Sequence, residues 1–192
     1  MIPIIHRVNK SEDLISLPSD FGIEIDIRSD GQNLVLGHDP KQYTENLESY
    51  IESFKHSFLI ANIKESGIEN QVIQSMNEKK IENFFLLDVE FPYILQNYKK
   101  NGNYLSLRYS KYESIESIKP FIGKVKWIWV DTYADFKVDK NIANILKNFK
   151  ICIVSPSRWN SGYDLKYFVE KFKKFEIKID AAMISDRDEV LY

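Results

Sequence analysis

The chain has 192 residues, 44% of them hydrophobic, with 26 basic and 28 acidic side chains and a formal net charge of −2. That length and composition suit one soluble domain over residues 1–192 with a substantial core, and the charge balance argues against a nucleic-acid partner or an anionic membrane surface. Cys152 is the single cysteine, which excludes an internal disulfide and a thiolate metal cluster and fits a reducing cytosol. The opening stretch MIPIIHRVNK lacks the apolar core of a signal peptide, and no apolar run nears the roughly 20 residues of a membrane helix. The expectation is a cytoplasmic protein without a membrane span.

Short apolar runs recur along the chain at residues 3–5, 22–27, 57–63, 83–87, 103–107, 125–130, 150–154 and 181–184. Their length and their content of Ile, Val, Leu and aromatic residues suit buried parallel strands. The second run is informative in itself. Ile23, Ile25 and Ile27 alternate with Glu24, Asp26 and Arg28, the period of a strand. Asp30-Gly31 signals a turn, and Leu34 and Leu36 resume the alternation. Taken alone, this stretch reads as an antiparallel hairpin with one face toward water.

Amphipathic stretches fill the spaces between most runs: YTENLESYIESFKH, ENQVIQSMNEKK, YILQNYKK, YESIESIKPFI, KNIANILKNF and YDLKYFVEKFKKF. Eight runs alternating with helical stretches predict an α/β fold, a compact (β/α)8 TIM barrel with a β-hairpin excursion after the second strand. Neither G-x-G-x-x-G nor G-x-x-x-x-G-K-[ST] occurs, which counts against nucleotide folds built on those loops.

In barrels of this kind the chemistry gathers where strands end. Those positions carry His6-Arg7-Val8-Asn9, Glu24 and Asp26, Asn62-Ile63-Lys64, Asp88-Val89-Glu90, Arg108, Asp131, Ser155 and Ser185-Asp186. Unpaired charge is costly to bury, so such groups pair, hold a metal or face a wet cleft. Of the three histidines, His6 and His38 follow strand-like runs, whereas His56 ends a helical stretch and reads as a surface residue. Two imidazoles with a carboxylate pair suit acid/base work near neutral pH. Carboxylates two apart on one strand share a face and can share a hard cation. Arg7, Lys64 and Arg108 offer positive charge to an anionic substrate, phosphate being the natural candidate, and Asp131 joins them as a substrate-side residue. Trp127 and Trp129 read as packing and Cys152 as core. The loop SPSRWNSGY, with Arg158 and Trp159, reads as a rim, and no triad surrounds Ser155.

His6-Arg7 after the first strand, GIEIDIRSDGQNLVLGHD and a lysine closing the third strand together resemble the glycerophosphodiester phosphodiesterases. These share a barrel with the phosphatidylinositol-specific phospholipases C. The match covers roughly residues 4 to 40, with a weaker echo at 57–64 and in the closing DAAMISDRDEV. The resemblance implies hydrolysis of a small phosphodiester, of glycerophosphodiester type or linked to a glycan or nucleotide. It implies a divalent metal, Mg or Ca, held by Glu24, Asp26 and Asn62. His6 and His38 become general acid and base, and Arg7 and Lys64 hold phosphate oxygens. Three departures stand out. Val8 replaces the family's usual glycine, Asn62 replaces a glutamate so that the metal site loses one negative charge, and the loop after His6 is short.

Two other functions remain open. One is a catalytically silent barrel that binds a phosphorylated or sugar ligand. The other is a lyase or isomerase using the same carboxylates. The aromatic content leaves room for a homodimer.

Overall fold

The structure is a computed structural model that describes residues 1–159 and 162–184. The chain divides into two compact units, residues 2–96 and residues 97–192 with Met1. Among the described residues, no helix is long and apolar enough to cross a membrane.

The first unit contains β1 (Ile2–Ile5), α1 (Ser11–Ile15), β2 (Gly22–Ser29), β3 (Leu34–Leu36), β4 (Glu45–Asn46), α2 (Leu47–Glu52), β5 (Phe58–Ile63), α3 (Glu69–Glu78) and β6 (Phe84–Leu87). β1, β2, β5 and β6 form a parallel array in that order. The β2–β5 ladder runs from Gly22 opposite Phe58 to Ile27 opposite Ile63, which sets Asp26 beside Asn62. β3 folds back antiparallel on β2, and β4 pairs antiparallel with β3.

β2 lacks the wet face that its stretch suggests when taken alone. Ile23, Ile25 and Ile27 are fully buried, and so are Glu24 and Asp26 on the opposite face. The turn after β2 is longer than the Asp-Gly pair alone. Asp30 Oδ1 accepts the N–H groups of Gln32 and Asn33 at 2.8 and 2.7 Å, and Gly31 takes a left-handed φ of 97°. These bonds hold the exposed Asp30 carboxyl below its usual range. The helical stretch expected over residues 43–56 is trimmed to α2. β4 takes Glu45 and Asn46, and the Asn46 side chain caps the helix by accepting the Glu48 N–H at 2.8 Å.

α4 (Phe91–Asn101) carries the chain into the second unit. There follow β7 (Ser106–Tyr109), α5 (Ile115–Ile118), β8 (Trp127–Val130), α6 (Lys140–Leu146), β9 (Lys150–Val154), α7 (Leu165–Lys174) and β10 (Ala181–Ile184). β7, β8, β9 and β10 pair in parallel in that order. Side chains of Ser114, Asp139 and Asp164 cap α5, α6 and α7. Phe168 and Phe172 of α7 are fully buried and pack against Phe136 at 5.2 and 6.2 Å between ring centroids. Trp127, Trp129 and Cys152 are buried, as their runs predict, and burial pushes the Cys152 thiol up.

Two elements shift. The run at 103–107 begins as a 3-10 turn, Gly102–Tyr104, and becomes β7 only at Ser106. Gly102 sits so close to the Lys124 carbonyl that a Cβ there would meet it at 1.8 Å, so this turn requires glycine. The stretch YESIESIKPFI gives the four-residue α5 and a 3-10 turn, Lys119–Phe121. Pro120, which has no N–H to donate, marks the change.

Candidate functional site

Arg7 leaves β1 in the left-handed region, with φ of 56°. For a residue with a Cβ this costs on the order of 1 kcal/mol and persists only where surrounding contacts hold it. Here those contacts reach β2. The Arg7 N–H donates to Glu24 Oε2 at 2.7 Å, and the Val8 N–H donates to the Glu24 main-chain carbonyl at 2.9 Å. Val8 itself is core, 3% exposed, and its carbonyl accepts the buried Tyr50 hydroxyl at 2.7 Å. The turn places His6 Nε2 at 3.6 Å from Glu24 Oε2.

Glu24 and Asp26, two apart on one face of β2, are both 0% exposed. Glu24 Oε1 accepts Asn62 Nδ2 at 2.9 Å. Asn9 grips Asp26 twice: its Oδ1 accepts the Asp26 N–H at 2.8 Å, and its Nδ2 donates to Asp26 Oδ2 at 2.9 Å. The Lys64 ammonium lies 3.1 Å from Asp26 Oδ1 and 3.9 Å from Asp88 Oδ2, and Arg7 Nε lies 3.8 Å from Asp26 Oδ2. Asp88, like Arg7, is left-handed, with φ of 59°. Burial first, and then the charge of Asp26, push the Glu24 carboxyl up to about 7. The bonds from Asn62 and Arg7 and the charge of Lys64 only partly oppose that.

His38 reaches the end of the hairpin by a different route. The Gly37 N–H donates to the Asp26 carbonyl at 3.0 Å, and a Cβ on Gly37 would meet the Gln42 carbonyl at 2.4 Å. The His38 ring pairs with its neighbour, Nδ1 lying 2.8 Å from Asp39 Oδ1. Its main-chain carbonyl is held by Arg28, Nε at 3.0 Å and Nη2 at 2.8 Å.

His6, Arg7, Glu24, Asp26, Asn62 and Lys64 are therefore brought together, with His38 tied to the same strand through its backbone. Arg108 and Asp131 belong to the second unit and pair with each other. Asp131, 2% exposed, also accepts Trp129 Nε1 at 3.0 Å, and Arg108 Nη1 lies 3.4 Å from the Tyr133 hydroxyl. Of the expected rim loop, Arg158 lies over the Trp159 ring at 5.5 Å, and Trp159 is 38% exposed and packs on Tyr133. Residues 160 and 161, and Ser185 and Asp186 with the end of the closing motif, lie outside the described residues. Ser155 is buried and pairs with Ser157. His56, expected at the surface, is half-buried, with Nε2 3.1 Å from the Leu14 carbonyl.

Among the described residues no three His, Cys, Asp or Glu side chains form a metal-holding group. An amide oxygen widens the donor set. Asn62 Oδ1 is buried without a hydrogen-bond partner, on the residue directly opposite Asp26. Two buried carboxylates and an unpartnered hard oxygen fit a small divalent cation, which manages with one or two carboxylates when water and substrate phosphate complete its shell.

No family model matches the chain, and no curated protein matches it significantly in sequence. Solved structures do match. A glycerophosphoryl diester phosphodiesterase from Parabacteroides distasonis is 15% identical, with a TM-score of 0.60 over 98% of this chain and 83% of its own. A glycerophosphodiester phosphodiesterase from Agrobacterium tumefaciens is 12% identical, with a TM-score of 0.62 over 98% and 99%. The tryptophan synthase alpha subunit from Campylobacter jejuni is 13% identical, with a TM-score of 0.56 over 96% and 86%. These likenesses show the fold. The chain has the α/β fold of the (β/α)8 barrel class that its alternation predicts, and that fold is shared with phosphodiesterases and with an enzyme of different activity.

Asn9, Arg28 and Tyr50 were not singled out by their sequence context as parts of this site. Arg28 had a signal, since it continues the face of Glu24 and Asp26. Asn9 had none beyond its place at a strand exit, because its two bonds to Asp26 span 17 residues of chain.

Proposed function

We propose that the chain is a phosphodiesterase that hydrolyses a small phosphodiester at the exits of β1, β2 and β5. The observation that carries this reading is the cluster itself: two buried carboxylates on one strand face, with a lysine, an arginine and a histidine within 4 Å of them. The fold shared with two phosphodiesterases supports it.

Glu24, Asp26 and the amide oxygen of Asn62 would hold a divalent cation, Mg or Ca. Bound there, it would supply Lewis-acid polarisation of a phosphoryl oxygen. Lys64 and Arg7 bind the remaining phosphate oxygens, exchanging part of their pairing with Asp26 for the substrate, and stabilise the charge that builds on them. His6 and His38 divide the proton work: one takes the proton of the attacking hydroxyl or water, the other gives one to the leaving alcohol. Asp39 orients His38 by accepting at Nδ1, which leaves Nε2 as the nitrogen that exchanges protons.

A second reading has its own support. The Asn62 amide nitrogen faces Glu24 and Lys64 faces Asp26, so protein donors already offset much of the carboxylate charge. A silent barrel that binds a phosphorylated or sugar ligand is consistent with that.

Turnover of glycerophosphodiesters and nucleotide-linked diesters, measured with Mg²⁺, Mn²⁺ or Ca²⁺ and with EDTA, separates the two. Metal-dependent product that disappears in His6→Ala supports the enzyme. Calorimetric binding of inorganic phosphate without turnover of any diester supports the silent barrel.

A further inference from the structure

We propose that Arg28 is a positioning residue that sets the spacing between His38 and Lys64 by holding both main-chain carbonyls from one side chain on β2. The inference rests on the reading above, in which His38 moves a proton and Lys64 holds a phosphate oxygen.

Arg28 is the third residue on the face that carries Glu24 and Asp26, yet it takes a different part. Its Nε and Nη2 donate to the His38 carbonyl at 3.0 and 2.8 Å, and Nη1 donates to the Lys64 carbonyl at 3.2 Å. The two carbonyls come from different segments, one on the return of the hairpin after β3 and the other at the exit of β5. Lys64 is bound to β2 a second time, its N–H donating to the Ile27 carbonyl at 3.0 Å. Glu65 completes the anchor. Its Oε2 lies 3.7 Å from Arg28 Nη1, and its Oε1 accepts the Ser29 N–H at 3.0 Å.

Three of the five guanidinium N–H donors are thus committed to carbonyls. The side chain is only 14% exposed, and Glu65 balances its charge, so Arg28 is built to hold protein and not substrate. A planar fork can span two carbonyls at fixed separation, whereas an ammonium is a point donor that cannot. Misplacing a reacting group by about 1 Å costs on the order of 100-fold in rate. The linkage therefore turns one β2 side chain into the ruler between the proton-transfer residue and the phosphate-holding residue.

The test compares the full-length protein with Arg28→Met and Arg28→Lys. Both are checked for folding by thermal melting, then read by steady-state kinetics and by NMR of the histidine imidazoles and lysine ammonium groups at one pH. The expected result is a fall in kcat of about 10- to 100-fold in both variants. The His38 and Lys64 signals move while the His6 signals stay. Unchanged His38 and Lys64 signals in a folded variant, or equal shifts at His6, overturn the proposal. If the wild type turns over no diester, the functional reading fails by itself, and the two sets of signals still decide the positioning claim. If Arg28→Met does not fold, Arg28→Lys, which keeps the charge opposite Glu65, decides by the same readouts.

Discussion

In residues 2–96 the strand exits carry two carboxylates on one face of β2, both fully buried and close enough that the charge of Asp26 helps push the Glu24 carboxyl up. In residues 97–192 they carry Asp131, equally buried, whose two oxygens face Trp129 Nε1 and the Arg108 guanidinium. The residue types are the same, but the electrostatic outcomes differ. In the second arrangement the carboxylate faces a cation and an indole N–H. The first keeps a like-charge repulsion, leaves Asn62 Oδ1 without a donor, and holds Arg7 and Asp88 in left-handed backbone. Retained repulsion and strain single out the first arrangement as the proposed binding site. A carboxylate paired in this way serves the stability of the fold.

The contrast can be broken by mutation, and the largest effect is expected in the first unit. His6→Ala should lower kcat by about 10²- to 10⁴-fold with a much smaller change in melting temperature, since it removes proton transfer and a half-buried side chain, not a core one. Stopped assays of diester hydrolysis beside a melting curve check both halves of that statement. In the second unit Arg108→Ala should act on stability, because it removes a cation paired with the buried Asp131. The expected loss is on the order of 2–4 kcal/mol, somewhat below a fully buried pair because the arginine is partly exposed. Urea unfolding measures it, and an unchanged midpoint would remove the structural role assigned to the pair.

A smaller effect concerns pH. The Glu24 carboxyl sits at about 7 in the fold, against an ordinary value of 4.5. Its raised value favours the protonated form in the folded state. Its contribution to stability is therefore fully present below about 4.5 and is lost as pH rises through about 7. In EDTA, stability should fall across that window by at most about 1.4 kcal/mol per pH unit, and Glu24→Gln should flatten the slope. Melting temperatures from pH 4.5 to 8 give the comparison. The smallest effect is expected from Trp129→Phe, which removes one donor from Asp131 and should cost about 1 kcal/mol without altering KM.

Much of the first unit was legible because its signals are local. The alternation of β2, the turn at Asp30-Gly31 and the order His6-Arg7, Glu24, Asp26, His38 can all be read within one stretch of chain. What escaped depends on distance or on competition. β4 is two residues long and defined by pairing with β3, so no periodicity announces it. The start of β7 moved because the close approach of Gly102 to Lys124 is a tertiary fact that a run of apolar residues does not encode. The role of Arg28 was hidden for a related reason. Its partners are main-chain carbonyls, which every residue has, so no side-chain motif points to them. The wet face that the hairpin suggests when taken alone is absent, because Glu24 and Asp26 are covered by groups from β1, β5 and the segments that follow them.

The most direct measurement is phosphorus NMR of a glycerophosphodiester incubated with the full-length protein and Mg²⁺, beside Glu24→Gln under the same conditions. The account predicts conversion of the diester signal to monoester in the wild type and none in the variant. Conversion at equal rates in both would contradict it, because the chemistry would then lie outside the buried carboxylate pair.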